Sequence, residues 1–361
     1  MASINVAIVG TGFQAQYHAA AYAKLPEVEL VACCDLVEDA RNAFGRRFGC
    51  TPYASLTEML QQRRDLDAIS VVTPGALHYS NVMEILASPT PPKAILCEKP
   101  PALSIAEIEQ MGSTAAAAGV TLAFAFFLAQ DPSLRWLCAN SDELLGPVYR
   151  ASIIWRRSGG IPARPSLLAA SAVGGAVLDL LGHLVTPLLM LLEAAKPAWV
   201  VANLYHAIGA QGGTEGKLDP ALIQVEDAGD GRFLVLHAAG ACLANFVIEW
   251  DAYIPHDMLS IEFEGDKGGA TLELDHASSS LVPQLYRVVK VDGMALRLVT
   301  TLTQPAVTLD GLHDVEIAQL VRAVTTGQGV PHLVNAELAA NVMRIVLGAY
   351  ESDKLGDTRL L

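Results

Sequence analysis

The sequence predicts an α/β fold in two parts: a doubly wound parallel sheet, then a second α/β part built on a mostly antiparallel sheet. Three observations carry this. Short apolar runs alternate with helical patterns through the first third of the chain, and a glycine-rich turn joins the first strand to the first helix. Beyond residue 128 the strand-like runs crowd together, separated by Gly and Asp turns. A chain of 361 residues exceeds what one core usually supports, so two domains are expected, 1–125 and 126–361.

Residues 4–9 read as a strand buried on both faces, with a helix from about residue 14. Further strands at 29–34, 68–72, 94–97 and 121–127 alternate with helices at 38–48, up to 87, and at 105–118. Strands buried on both faces and joined by helices imply a parallel sheet with right-handed crossovers. A helix at 133–139 and a strand at 148–155 follow, then a Gly/Pro/Arg-rich loop. The apolar stretch 173–192 carries Asp179, His183 and Pro187. Two ionisable groups are costly in a bilayer, so it reads as a buried helix and no membrane partner is expected. From 199 to 303 the runs are divided by turns such as Ala228-Gly229-Asp230-Gly231 and Asp266-Lys267-Gly268-Gly269. That close spacing suggests antiparallel pairing. Helical patterns return at 314–325 and 335–350.

Composition narrows the partners. With 52% hydrophobic and 17% charged residues, the chain can fill buried cores and is not disordered. A formal net charge of −14 argues against nucleic acid or an anionic membrane surface. The cysteines Cys33, Cys34, Cys50, Cys97, Cys138 and Cys242 form no C-x-x-C pair and no zinc spacing, so no metal site is expected. Met1-Ala2-Ser3 leads into a strand pattern without a basic segment, and a cytoplasmic setting is expected.

Three constellations carry chemistry. Gly10-Thr11-Gly12-Phe13-Gln14-Ala15 matches G-x-G-x-x-A between strand and helix. Gly10 permits the tight turn, Gly12 lets backbone approach a pyrophosphate, and Ala15 allows close helix–strand packing. This is the signature of a Rossmann dinucleotide site. Asp35, at the end of the second strand, is placed to accept from both adenosine ribose hydroxyls and to repel a 2′-phosphate. Leu36 follows it and offers no cation, which favours NAD over NADP; Arg41 lies a turn further along. The second constellation, Cys97-Glu98-Lys99-Pro100, ends a strand at the carboxyl edge of the sheet, where open α/β folds bind ligands. In the third, Asp179 and His183 are four apart in an apolar helix that starts at Gly174-Gly175. Such a pair shares a helix face, and a His–Asp couple suits proton transfer near neutral pH.

The order of these features resembles the Gfo/Idh/MocA family, the glucose–fructose oxidoreductase and inositol dehydrogenase group. The likeness includes Thr73-Pro74 after the third expected strand, with His78 four residues past the proline, then Glu98-Lys99-Pro100 and a D-x-x-x-H. It implies a Rossmann domain followed by an α/β domain whose large open sheet often serves as an oligomer interface, here for a dimer or tetramer. By the same resemblance Gly10, Gly12 and Ala15, with Phe13 and Gln14, hold the pyrophosphate and Asp35 the adenosine ribose. Thr73, Pro74 and His78 lie beside the cofactor, and Glu98 and Lys99 near the nicotinamide ribose. Lys99, Asp179 and His183 form the catalytic group, and the Lys99–Pro100 peptide is expected to be cis. The chain departs from the family at Phe124-Ala125-Phe126-Phe127-Leu128-Ala129-Gln130, where polar residues are usual, at Leu181-Gly182, and at Thr186.

The implied activity is NAD-dependent hydride transfer between nicotinamide and a hydroxyl or ketone of a sugar, cyclitol or glycoside. His183 then serves as proton acceptor, Lys99 as electrostatic stabiliser, and Asp179 orients His183 or holds a neighbouring hydroxyl. Trp155, Arg156, Arg157, Tyr253 and His256 are candidates for lining the substrate pocket. Two other readings stand beside it: a catalytically silent sensor of sugars or dinucleotides, and a reductase of a dihydrodiol or imine. Cofactor turnover separates the first of these from an enzyme.

Overall fold

The computed structural model describes residues 3–163, 168, 174–291, 294–302, 307–327 and 333–361. Residues 173 and 303, where two expected stretches begin or end, lie outside these. The chain forms two compact units, Met1–Gln130 with Asp310–Ala340, and Asp131–Leu309 with Asn341–Leu361.

The first unit holds a six-stranded sheet in the order β3-β2-β1-β4-β5-β6. Its strands are β1 (Ile4–Val9), β2 (Val28–Cys34), β3 (Thr51–Tyr53), β4 (Ala68–Val71), β5 (Ala94–Cys97) and β6 (Thr121–Phe124). Every pairing is parallel, as the buried runs required. Helices α1 (Phe13–Tyr22), α2 (Glu38–Phe48), α3 (Leu56–Gln62), α4 (His78–Leu86) and α5 (Ile105–Ala118) connect them. Strand order reverses beside β1, so the carboxyl ends of β1 and β4 flank the crevice where such sheets bind ligands. The reading of the sequence did not anticipate β3 and α3. A three-residue strand containing Pro52, at the sheet edge, is too short to show periodicity.

The second unit holds a nine-stranded sheet in the order β14-β13-β12-β11-β7-β10-β9-β8-β15. Its strands are β7 (Val148–Arg156), β8 (Lys196–Tyr205), β9 (Ala228–His237), β10 (Gly240–Glu249), β11 (Met258–Gly265), β12 (Gly269–Asp275), β13 (Ser280–Val291), β14 (Met294–Thr301) and β15 (Arg359–Leu360). All its pairings are antiparallel except β7 with β10. Helices α6 (Pro132–Leu144) and α7 (Gly182–Leu191) belong to this unit. The edge pair β13–β14 leaves Val288, Met294, Leu296, Leu298 and Val299 exposed.

The division differs from two consecutive blocks. Helix α8 (Gly311–Thr326) returns to the first unit, where Ile317, Leu320, Val321 and Val324 join the core of Ile8, Ala15, Ala19 and Leu96. A long apolar helix face must be buried somewhere, and the sequence does not say against which sheet. Helix α9 (Ala336–Leu355) then closes the chain before β15. The unusual apolar segment after β6 is also core: Phe124, Phe126 and Leu128 are buried. None of the six cysteines is in a disulfide. Among the described residues, no helix is long and apolar enough to cross a membrane.

Candidate active site

Between β1 and α1 the chain turns through Gly10-Thr11-Gly12. Gly10 has φ +89°, and a Cβ there would lie 2.7 Å from the Val72 carbonyl oxygen. A side chain has neither the conformation nor the room. Gly12 is the N-cap of α1 and brings no capping side chain, and a Cβ on it would meet nothing within 4 Å. The first amides of α1 are thus left for an anion at the positive end of the helix dipole. Phe13 is exposed at this mouth, Gln14 Nε2 lies 3.4 Å from His313 Nε2 on α8, and Ala15 is buried against the sheet.

Asp35 closes this cradle from β2. Its Oδ2 accepts from the Thr11 amide (2.8 Å) and hydroxyl (2.9 Å), and its Oδ1 accepts from the Val37 amide (2.9 Å). A carboxylate offers about four acceptor sites. One remains on Oδ1 for a ribose hydroxyl, where the sequence alone allowed for two. Leu36 is 81% exposed and carries no charge. Arg41 turns its guanidinium to the Asp35 and Leu36 carbonyls and to Glu38, not outward to a phosphate. The residues present fit an adenosine ribose without a 2′-phosphate.

After β4, Thr73 and Pro74 lead through a short 3-10 turn into α4. Thr73 Oγ1 accepts from Asn81 Nδ2 at 2.9 Å. His78 is fully buried, its Nε2 2.7 Å from the Thr73 carbonyl and its Nδ1 2.7 Å from the Pro100 carbonyl. Burial pushes its pKa down, although both carbonyls and Glu98 act in the other direction. With a backbone carbonyl at each ring nitrogen, one of them taking the N–H of the neutral ring, His78 sits between the loop after β4 and the loop after β5. The Lys99–Pro100 peptide is cis.

Glu98 is buried at the end of β5, its Oε2 accepting from the Lys99 amide at 3.0 Å and its Oε1 3.0 Å from His18 Nε2. Burial alone would push its pKa up. The hydrogen bond from His18 and the fields of His18, His313 and Lys99 overcome this and hold it at about 2. Lys99 follows, half-buried. His18 and His313 escaped the reading of the sequence. His18 could have been found, as the one imidazole among alanines three residues past Ala15; His313 had no such mark.

In the second unit, Gly174 and Gly175 are dictated by packing. A Cβ on Gly174 would lie 2.3 Å from the Tyr350 hydroxyl, and one on Gly175 would lie 1.9 Å from the Glu226 carbonyl oxygen. The Glu226 carboxylate caps this helix start, accepting from the Gly175 amide (2.9 Å), the Val177 amide (3.1 Å) and the Tyr350 hydroxyl (2.5 Å). Residues 177–181 form a π-turn, which runs into α7. The wider turn alters the helical spacing between Asp179 and His183 from the regular one expected. Asp179 Oδ2 accepts from the Trp250 indole at 2.9 Å, a partner the sequence did not suggest. His183 is 3% exposed, and its ring centre lies 6.3 Å from that of Trp155.

The remaining candidates scatter. Arg156 pairs with Glu249, its direct neighbour across β7 and β10. The Arg157 guanidinium packs over Gly160. Tyr253 is 73% exposed, and the exposed His256 meets the His276 ring edge-on at 4.6 Å. Of the five, Trp155 lies beside a catalytic candidate, His183. No group of three or more metal-ligating side chains occurs among the described residues.

Comparison with known proteins agrees with this geometry. Residues 4–126 match the GFO_IDH_MocA profile, described as an oxidoreductase family with an NAD-binding Rossmann fold. Over 98% of its length the chain is 27% identical to the D-glucoside 3-dehydrogenase of Escherichia coli K12, covering 96% of that protein. GenD2 from gentamicin A biosynthesis, solved in complex with NAD, superposes with a TM-score of 0.78 at 25% identity, covering 100% of this chain and 97% of that one. A myo-inositol dehydrogenase from Corynebacterium glutamicum shares the fold, with a TM-score of 0.73 at 20% identity and 99% of each chain covered.

Proposed function

We propose that the chain is a member of the Gfo/Idh/MocA family of oxidoreductases, whose NAD-binding Rossmann part its residues 4–126 match, and that it oxidises a secondary hydroxyl of a glycoside, sugar or cyclitol with NAD. The observation that carries the reading is the uncapped Gly10–Gly12 turn at the strand-order reversal, closed by Asp35. Gly10, Gly12, Phe13, Gln14 and Ala15 hold the pyrophosphate and Asp35 the adenosine ribose. Thr73 and Pro74 lie beside the cofactor, His78 supports them from behind, and Glu98 and Lys99 serve the nicotinamide ribose. NAD, when bound, supplies the hydride acceptor.

The protein supplies the proton chemistry. His183 accepts the hydroxyl proton, and the Lys99 ammonium stabilises the alkoxide as it develops. Asp179 orients His183, with the Trp250 indole fixing the carboxylate through Oδ2. In the reductive direction His183 returns the proton. Trp155 is the candidate for lining the substrate side. The full-length likeness to a D-glucoside 3-dehydrogenase makes position 3 of a D-glucoside the first hydroxyl to test.

NADH formation over a panel of D-glucosides, free sugars, cyclitols and amino sugars tests the reading. We expect turnover to be highest on a glucoside. NAD binding with no turnover on any member would make the protein a sensor and sink the catalytic assignment. A homo-oligomer, dimer or tetramer, belongs to the same reading, because exposed Met294, Leu296, Leu298 and Val299 on β14 present apolar surface at a sheet edge. Light scattering at micromolar concentration is expected to give a multiple of the 38.2 kDa chain mass, and a monomer would refute it.

A further inference from the structure

Beneath the proposed cofactor site runs a buried chain of side chains that ends on Glu98 and whose other three members the mechanism above does not use. The Tyr22 hydroxyl lies 2.8 Å from Ser70 Oγ, Ser70 Oγ 3.1 Å from His18 Nδ1, and His18 Nε2 3.0 Å from Glu98 Oε1. All four side chains are buried, Ser70 completely. A carboxylate can only accept, so Nε2 carries the hydrogen that meets Glu98. Burial holds the Tyr22 phenol protonated, with its pKa well above the ordinary value. Every hydrogen then finds an acceptor if Tyr22 donates to Ser70, Ser70 to Nδ1, and Nε2 to Glu98. The other Glu98 oxygen receives the Lys99 amide.

We propose that His18 is a positioning residue, which fixes the ionised Glu98 carboxylate and through it the start of Lys99, so that both meet the nicotinamide ribose. This rests on the cofactor placement above. The chain links the helix that begins at the pyrophosphate turn to the strand end that carries Glu98 and Lys99. An unanchored buried carboxylate would take up a proton or turn away, since burying charge without a donor is costly. Other groups also face Glu98: His78 from α4, His313 from α8, and its neighbours Cys97 and Lys99, while Glu316 of α8 acts on Tyr22. His18 reaches the Glu98 carboxylate directly, Nε2 to Oε1 at 3.0 Å.

His18→Leu removes the donor and His18→Gln keeps an N–H within reach. Two readouts need no turnover: NAD affinity by calorimetry, and thermal stability from pH 8 to pH 5. We expect His18→Leu to weaken NAD binding roughly 10-fold, about 1.4 kcal/mol, with most of it regained in His18→Gln. In the unmodified protein Glu98 is depressed, so its contribution is complete above the ordinary carboxylate pKa and is lost only as pH falls towards about 2. In His18→Leu burial is no longer opposed by the donor, and the carboxylate pKa rises. The stability gap between the two proteins is then widest at pH 8 and narrows towards pH 5. A gap constant with pH would reduce His18 to packing, and unchanged NAD affinity would refute the positioning role. Should His18→Leu fail to fold, His18→Met, an unbranched side chain that likewise lacks the donor to Glu98, takes its place, and NAD affinity unaltered there refutes the role equally. If no sugar is oxidised by the unmodified protein, the catalytic reading falls and both of these readouts still decide the role of His18.

Discussion

Replacing Lys99 or His183 by alanine is expected to lower turnover by roughly 100-fold or more, about 2.7 kcal/mol of lost transition-state stabilisation. Neither side chain is part of the pyrophosphate turn, so NAD affinity should fall much less than turnover. His183 is nearly excluded from solvent beside Trp155, which would hold the proposed proton acceptor in one place and out of competition with water. Asp179→Asn is a milder change. The asparagine carbonyl can still accept from Trp250, so the local fold is retained while the charge is lost. Turnover should fall about 10-fold with KM for the sugar little changed. A raised KM at constant turnover would instead make Asp179 a substrate ligand. Turnover of Lys99→Ala and His183→Ala near that of the unmodified protein would remove both from the mechanism.

NAD should be preferred over NADP by roughly 10-fold or more, about 1.4 kcal/mol. A 2′-phosphate would meet the Asp35 carboxylate, with the uncharged Leu36 and Val37 as its exposed neighbours. The nearest guanidinium, Arg41, is committed to backbone carbonyls and Glu38. Asp35→Ser with Leu36→Arg removes the repulsion and adds a cation, and should erode the preference. Because Asp35 also anchors Thr11 through two hydrogen bonds, NAD affinity should fall in this variant as well. Equal or better use of NADP by the unmodified protein would overturn the assignment.

Where periodicity and turn chemistry act locally, the chain was legible before folding was considered. The run 4–9, the Gly10–Gly12 turn and Asp35 mark the first two strands and the turns that follow them, and their placement follows from local backbone geometry. The all-parallel first sheet and the mostly antiparallel second sheet were legible for the same reason, since burial on both faces and turn spacing are written along the strand. Edge strand β3 was not, because three residues with a proline carry no period.

What the sequence by itself determined was therefore the order of elements, the dinucleotide turn and the residue types able to move a proton. The tertiary structure decided how those residues are held. It brought α8 back to the first unit, gave Glu98 to His18 and His78 to two carbonyls, and engaged Asp179 with an indole 71 positions away. It also revealed that Gly174 and Gly175 are small because Tyr350 and Glu226 press against them. Most of these contacts join residues far apart in the chain. They depend on which faces are buried together, and a buried polar group takes whichever partner the packing brings within reach.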